Sequence, residues 1–317
     1  MLAPDFDALD RFLDGLLKGE RLASFEVLSG GRANTNLRLV CRGSRPDLVL
    51  RLYQRDPAQR EKEVAIADLL RGRVPVPDVV VHGADTPVLH GPYVLMKYVE
   101  GVAVEARFAA LDNLERAALG RSLGATLAAI HTHYYEAPGF LDATLNVATP
   151  LGAGGRGLLA ALDWLIEQGP AQQRLGERRC LALRRHLTQR TDRFDAWPAL
   201  PRLVHGDFGF SNILIAGEGA DVAVAAVLDW EFALAATPLL DLGNLIRPPG
   251  GEDGRFLGAI AVGYRGIDPT LPDDWIDLAR AVDLLAWVDF AGREDAPDDL
   301  LDHTRSMIDG ITESAAC

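Results

Sequence analysis

Alternating apolar and polar positions are frequent in the first hundred residues. The run LVLRLY, residues 48–53, places three leucines on one face of a strand and Val49, Arg51 and Tyr53 on the other. Similar runs bounded by turn residues predict further strands at residues 25–28, 37–40, 78–82 and 93–99. The first part of the chain is therefore expected to be rich in β-strands.

Two stretches in this part have a helical period instead. Apolar residues between positions 6 and 16 fall on one side of an amphipathic helix. Glu63, Ile66, Ala67 and Leu70 follow at i, i+3, i+4 and i+7, so Glu63 lies on an apolar stripe. A carboxylate that faces inward usually has a partner, and we expect one for Glu63.

After Gly101 the apolar positions mostly follow a helical period. Helices are predicted at residues 156–168, 176–194 and 273–291. A chain of 317 residues is long for one small core. The change of pattern near residue 100 therefore predicts two lobes, residues 1–98 and residues 99–317.

Composition and charge exclude several classes of protein. The three cysteines lie far apart, which argues against a disulfide framework or a cysteine zinc site and fits a reducing cytoplasm. The net charge of −13 opposes nucleic-acid binding, which needs a basic surface. The N-terminal stretch has no basic leader and acidic residues interrupt its apolar positions, so we do not expect it to be a signal peptide, and no stretch approaches the ~18 uncharged apolar residues of a membrane span. We expect a cytoplasmic protein with neither nucleic acid nor membrane as partner; its oligomeric state is not indicated.

Polar residues interrupt an apolar stretch at residues 203–215, LVHGDFGFSNILI. The following residues predict a β-hairpin with Asn212 at its outgoing end and Asp229 near its incoming end. Opposite residues on paired strands have Cβ atoms about 5 Å apart, so an amide oxygen and a carboxylate converge. Such oxygen ligands suit Mg²⁺, and Asp207, just outside the pair, is placed to receive a hydroxyl proton. The spacing alone is equally compatible with a polar hairpin entry that binds nothing.

The motif HGDFGFSN, followed by VLDWE (227–231) and DLG (241–243), resembles the aminoglycoside phosphotransferase family. This kinase-like group also includes choline, homoserine and fructosamine kinases. Upstream, LSGGRANTN resembles the nucleotide loop, VLRLY the third strand and YVLMKYVEG the hinge, so the resemblance covers most of the chain. It implies an α+β, protein-kinase-like bilobal fold. Residues 1–98 would form a nucleotide-binding lobe with an antiparallel sheet and one helix, and residues 99–317 a mainly helical catalytic and substrate-binding lobe.

The resemblance also implies roles for individual side chains. Asp207 stands where the family has the aspartate that orients the acceptor hydroxyl and accepts its proton. Asn212 and Asp229 stand where it has the Mg²⁺ ligands. Arg51 stands where a basic residue contacts the nucleotide phosphates, and Glu63 where that residue has its helix partner.

Backbone groups complete the implied nucleotide site. The carbonyl of Lys97 and the N–H of Val99 would hold adenine at the hinge. The phosphates would be covered by backbone N–H groups of the loop that contains Ser29, Gly30, Gly31 and Asn34. This loop lacks a full GxGxxG, and Arg51 replaces the lysine of protein kinases; arginine still binds phosphate, and bidentately.

Three further residues are expected to support the structure. His205 is expected to brace the loop, Asp241 to accept hydrogen bonds from the loop backbone, and His131 to pack in the core because it continues a leucine stripe.

The spacing of the motifs indicates a small acceptor. Only 11 residues separate Asp229 from Asp241, too few for the activation segment that docks a polypeptide in protein kinases. Residues 268–303 contain eleven acidic side chains and two arginines, which favours an aminoglycoside or another amine-bearing acceptor. A solvated helical face explains the same charges.

The sequence thus predicts an enzyme that uses ATP or GTP with Mg²⁺ to phosphorylate a hydroxyl of a small molecule. Two alternatives remain open. One is a catalytically silent nucleotide-binding module, and the other is a metallophosphoesterase, although no DxH or GNH motif is present. A role in antibiotic resistance and a role in metabolism fit equally.

Overall fold

The structure is a computed structural model that describes residues 5–28, 34–43, 46–53, 56, 58–85 and 91–313. The chain divides into two compact packing units. Unit 1 comprises Met1–Glu115, Asp142–Asn146 and Phe210–Glu231, and unit 2 comprises Arg116–Leu141, Val147–Gly209 and Phe232–Cys317. The lobes proposed for residues 1–98 and 99–317 stay a prediction.

Unit 1 is built on an antiparallel sheet. Its strands, numbered in chain order, are β1 (Leu22–Val27), β2 (Asn34–Cys41), β3 (Leu48–Tyr53), β4 (Val79–Gly83) and β5 (Tyr93–Lys97). They pair in the order β1-β2-β3-β5-β4. Helix α1 (Phe6–Leu16) precedes the sheet and α2 (Gln59–Leu70) follows β3. The predicted fold class, an N-terminal antiparallel sheet followed by a mainly helical part, is confirmed, but two helices rather than one accompany the sheet in the described part of residues 1–98.

The two faces of this sheet bury different residues. The leucines of β3 form one core cluster with Leu9, Phe12 and Leu13 of α1. The opposite face carries Arg51 and Tyr53, and Tyr53 packs with Val64 of α2. The alternation in LVLRLY therefore separates an apolar core from a polar site.

A second, smaller sheet in unit 1 contains the predicted hairpin. Its strands are β6 (Val102–Ala103), β10 (Ile213–Ala216) and β11 (Ala223–Val227), in the order β11-β10-β6, and helix α3 spans Val104–Arg107. The Val227 N–H donates to the Pro75 carbonyl at 2.8 Å. The hairpin is thereby bonded to the segment that follows α2.

Unit 2 is mainly helical. Its helices are α4 (Asn113–Ile130, whose first residues lie in unit 1), α5 (Gly154–Glu167), α6 (Ala171–Thr188), α7 (Thr191–Ala196), α8 (Leu239–Leu245), α9 (Gly254–Arg265), α10 (Trp275–Gly292) and α11 (Asp298–Glu313). A sheet in the order β8-β7-β12-β9 joins β7 (Gly139–Leu141), β8 (Val147–Pro150), β9 (Arg202–Val204) and β12 (Leu234–Ala236). In the described ranges, no helix is both long enough and apolar enough to cross a membrane.

Helices α4 and α9 pack backbone against backbone. A Cβ atom at Gly124 of α4 would lie 2.0 Å from the Ile260 carbonyl oxygen of α9. A Cβ atom at Gly263 of α9 would lie 2.0 Å from the Arg121 carbonyl oxygen of α4. Only residues without side chains allow this approach, so the glycines fix the spacing of the two helices.

Candidate active site

Arg51 of β3 lies between two carboxylates in a pocket of unit 1. Its Nη2 atom donates to Glu63 Oε1 at 3.1 Å and to Asp229 Oδ1 at 2.6 Å. The Tyr53 hydroxyl donates to Glu63 Oε2 at 2.7 Å. The side chains of Arg51 and Glu63 are only 8% and 11% exposed, and that of Asp229 is 29% exposed. One buried cation therefore serves two carboxylates.

The shared cation affects the protonation of this cluster. Burial raises the pKa of Glu63 to about 7, although Arg51 and Tyr53 act in the opposite direction. Burial acts to lower the pKa of Arg51, but the charges of Glu63 and Asp229 outweigh it and hold that pKa above its usual value. Arg51 is thus permanently charged, while Glu63 titrates near neutrality.

The hairpin brings Asn212 and Asp229 together. Ile213 pairs with Val227, and the Leu228 N–H donates to the Asn212 carbonyl at 2.8 Å. Both predicted ligands line the same pocket as Arg51. Asp229 has a φ of 66°, a left-handed conformation that aspartate tolerates better than most residues and that is frequent at functional sites.

The donor atoms in this pocket fit Mg²⁺. Within the described ranges, no group of three or more His, Cys, Asp or Glu side chains could hold a metal ion. Mg²⁺ needs fewer protein ligands, because it usually keeps waters and binds substrate phosphates beside one or two carboxylates. Asp229 and the amide oxygen of Asn212 would supply such a set, and the charge of a carboxylate at this position favours a cation.

Apolar side chains form the rest of the pocket wall. They come from β3, β4, β5, the hairpin, and α2 with the segment after it, and include Val49, Val79, Val94, Met96, Leu214 and Val227. Lys97 and Val99, the predicted hinge residues, also line the pocket. The Lys97 side chain points to Asp78, with Nζ 2.8 Å from Oδ2, and no described residue accepts a hydrogen bond from the Val99 N–H.

The predicted nucleotide loop is only partly described. Ser29, Gly30 and Gly31 lie outside the described residues. Asn34 is the first residue of β2, is buried, and pairs with Tyr53 across β2 and β3. The assignment of these four residues to the phosphates stays a prediction.

Asp207 belongs to unit 2, in a loop that Asp241 holds. The fully buried Asp241 carboxylate accepts from the N–H groups of His205 and Gly206, both at 2.8 Å. The Asp207 N–H donates to His205 Nδ1 at 3.2 Å. Gly206 has a φ of 82°, and a Cβ atom there would lie 2.4 Å from the Phe232 carbonyl oxygen, so the turn requires glycine. The supporting roles of His205 and Asp241 are confirmed; the catalytic role of Asp207 stays a prediction.

Three polar contacts, made by two residues, are absent from the sequence predictions. His131 is fully buried, but it does more than pack: its Nε2 lies 3.1 Å from Asp241 Oδ2 and its Nδ1 lies 2.9 Å from the Tyr264 hydroxyl. In unit 1, buried Lys62 donates from Nζ to the Glu231 carbonyl at 2.6 Å. Lys62 is one of only three lysines in the chain and adjoins Glu63, a signal that could have identified it.

The arrangement of motifs has a match among known protein families. Residues 24–275, more than three quarters of the chain, match the phosphotransferase enzyme family, APH. The chain belongs to the phosphotransferase enzyme family. The family predicted from the motifs is therefore confirmed.

One curated relative of this phosphotransferase is a much longer protein. Acyl-CoA dehydrogenase family member 10 of Mus musculus is 27% identical over 254 residues, which covers 74% of this chain and 21% of that protein. The chain thus spans about a fifth of the length of this relative.

Solved structures share the fold of this phosphotransferase. The GDP complex of wild-type aminoglycoside 2'-phosphotransferase-IIIa is 19% identical, with a TM-score of 0.70 over 98% of this chain and 99% of that chain. A thermostable mutant of aminoglycoside phosphotransferase APH(4)-Ia, in ternary complex with AMP-PNP and hygromycin B, is 20% identical, with a TM-score of 0.67 over 98% and 99%. At these identities, the similarity establishes the fold.

Most of the acidic side chains between residues 268 and 303 are neutralised. Seven of the eleven form ion pairs with arginines: Asp268, Asp273, Asp274, Asp277, Asp283, Asp289 and Asp302. The segment therefore carries far less free negative charge than its composition indicates. It gives little support for a cationic acceptor.

Proposed function

We propose that this protein transfers the γ-phosphoryl group of ATP or GTP to a hydroxyl of a small molecule. The observation that carries the proposal is the contact of Arg51 with Glu63 and Asp229 in a pocket whose walls are otherwise largely apolar. A nucleotide needs such an environment, with an apolar wall for the base and charged groups for the phosphates. In unit 1, Arg51, Asp229 and the two predicted hinge residues all line this one pocket.

Each charged group has a role in this transfer. Arg51 contacts the nucleotide phosphates, and Glu63 holds Arg51. Asn212 and Asp229 would hold Mg²⁺, which would neutralise charge on the phosphates. Asp207 orients the acceptor hydroxyl and receives its proton. The acceptor oxygen forms a new bond to phosphorus as the bond to the bridging oxygen breaks, which releases the nucleoside diphosphate.

The proposed acceptor is a small molecule. The 11 residues between Asp229 and Asp241 contain β12 and the start of α8, which leaves no long segment for a polypeptide. Amine-bearing alcohols are the first compounds to test, because a solved structure of the same fold is a complex with hygromycin B. The paired acidic residues of unit 2 give no separate reason to expect several positive charges on the acceptor.

A turnover screen tests the proposal. The purified chain is incubated with ATP or GTP, Mg²⁺, and aminoglycosides, macrolides, amino alcohols or sugars. Release of the nucleoside diphosphate is measured, and ³¹P NMR identifies a new phosphate ester. We expect release that depends on one acceptor class. Asp207→Asn should abolish turnover and leave ATP binding unchanged, whereas Asp221→Asn, at an exposed position in the hairpin turn, should leave both unchanged.

Other outcomes identify the alternatives. ATP binding without turnover on any acceptor would indicate a silent nucleotide-binding module. Hydrolysis of a phosphate monoester without any nucleotide would indicate a phosphoesterase. Full turnover by Asp207→Asn would remove Asp207 from the mechanism.

A further inference from the structure

A continuous chain of hydrogen bonds runs through the core of unit 2 to the loop that carries Asp207. It starts at the Tyr264 hydroxyl on α9, passes through the ring of His131, and reaches the carboxylate of Asp241 on α8. Asp241 in turn accepts from two successive loop N–H groups, those of His205 and Gly206. Tyr264, His131 and Asp241 are all 0% exposed, so water does not compete for these bonds.

The partners fix the position of each proton in this chain. The Asp241 carboxylate is an acceptor, so His131 donates to it from Nε2. Burial lowers the pKa of His131, and the neutral ring then has an unprotonated Nδ1 that accepts from Tyr264. Burial also raises the pKa of Tyr264, which keeps its hydroxyl proton. Every group thus has a single role, and His131 has the Nε2–H tautomer.

The close packing of α4 and α9 sets the distance across this chain. His131 directly follows α4, and its N–H donates to the Leu127 carbonyl. Tyr264 lies on α9, and a Cβ atom at Gly124 would lie 2.8 Å from the Tyr264 nitrogen. The glycine contact therefore holds the Tyr264 hydroxyl within reach of His131 Nδ1.

We propose that Tyr264 and His131 are positioning residues for the catalytic loop, and that they act through Asp241. Oδ2 of Asp241 contacts both His131 Nε2 and the His205 N–H, while Oδ1 contacts the Gly206 N–H. His131 fixes the rotation of the carboxylate so that its two oxygens meet two adjacent N–H groups. The loop held in this way carries Asp207, and a displacement of about 1 Å at such a residue can cost as much as a hundredfold in turnover. This inference rests on the proposed function.

The first test is Tyr264→Phe, which removes the hydroxyl and keeps the ring. We expect kcat to fall about tenfold or more, with KM and Kd for ATP unchanged, because the predicted nucleotide pocket is built from unit 1 alone. Tyr135→Phe is the control: Tyr135 is a half-buried tyrosine of the same unit, and its hydroxyl donates to no described residue. Its kcat should stay within twofold of wild type.

A pair of substitutions at His131 separates hydrogen bonding from packing. His131→Gln retains an amide donor at about the position of Nε2 and should keep most of the turnover. His131→Phe retains an aromatic ring without a donor and should lose at least as much turnover as Tyr264→Phe. Equal turnover in these two variants would overturn the proposal, as would a Tyr264→Phe variant that changes KM for ATP and not kcat.

Two readouts do not require activity. The ¹⁵N shifts of the His131 ring should show the Nε2–H tautomer, and the Gly206 amide should exchange with solvent faster in Tyr264→Phe than in Tyr135→Phe. A protein without turnover that still gave both results would refute the proposed function but keep the positioning chain. An Nδ1–H tautomer, or unchanged exchange at Gly206, would refute the chain itself.

Discussion

Replacing Arg51 by methionine tests the shared cation directly. The substitution keeps a long side chain on β3 and removes the only charge that pairs with both Glu63 and Asp229 within the described residues. Glu63 and Asp229 would then lie in one pocket without a counterion. We expect the variant to be strongly destabilised, and a second substitution, Glu63→Gln, to restore much of the loss.

The magnitude follows from the burial of the cluster. Two opposite unit charges about 3 Å apart attract by about 5 kcal/mol at an effective dielectric constant of about 20. Much of this attraction only offsets the cost of removing the ions from water. Deleting one partner of a buried pair, however, leaves that cost uncompensated and typically destabilises by about 3–5 kcal/mol. We expect Arg51→Met to lie in this range at about pH 9, where Glu63 is ionised in the wild type, and the double variant to recover about half of the loss, since Asp229 is partly exposed and keeps water.

Urea unfolding provides the assay. The hydrogen exchange of peptides from β3 would be measured at increasing urea concentrations. These peptides report on the unfolding of unit 1, which is needed because the two packing units need not unfold together. A double-mutant cycle compares the free energies of unfolding of the wild type, the two single variants and the double variant. We expect it to give a coupling energy of about 1.5 kcal/mol or more between Arg51 and Glu63. A loss below about 1 kcal/mol for Arg51→Met, or additive effects in the double variant, would refute the shared-cation interpretation.

Three further predictions follow from buried groups. Folding raises the pKa of Glu63 from 4.5 to about 7, so the folded state binds the Glu63 proton more tightly than the unfolded state does. Its contribution to stability is therefore greatest below about pH 4.5 and is lost as the pH rises to about 7, a change of about 3 kcal/mol that urea unfolding of wild type against Glu63→Gln should detect. Tyr53→Phe removes the donor to Glu63 Oε2 and should cost about 1–3 kcal/mol in the same assay; an unchanged midpoint would contradict this hydrogen bond. Gly124→Ala should destabilise by about 1–3 kcal/mol or more because its Cβ meets α9, whereas Gly258→Ala, with open space around it, should leave Tm unchanged or raise it; equal Tm values would contradict the close packing.

Local patterns in the sequence predict much of the site. The alternation in β3 places Arg51 and Tyr53 on one face, and the period of α2 brings Glu63 onto the buried side. The hairpin spacing predicts that Asn212 and Asp229 converge. These relations hold over a few residues, where the geometry of strands, helices and turns limits the outcomes.

Contacts between distant segments could not be predicted in the same way. Arg51 and Asp229 are separated by 178 positions, and His131 and Tyr264 by 133. A leucine stripe indicates that His131 is buried, but its partners depend on how α4 meets α9. The acidic residues near the C-terminal end show the same limit, because their arginine partners, such as Arg190, Arg193 and Arg202, mostly lie outside that segment.

The division of unit 1 into separate segments has a consequence for synthesis on the ribosome. The last segment of the unit, Phe210–Glu231, supplies the hairpin that pairs with β6 and bonds to Pro75. Between Glu115 and Glu231 the ribosome adds 116 residues, which takes about 6 to 23 seconds at ~5–20 residues per second. Throughout that interval, the nascent N-terminal sheet lacks the strands that complete its pocket. A fragment that stops at Glu115 should therefore expose apolar surface and depend on chaperones, and the proposed nucleotide pocket should mature only late in translation.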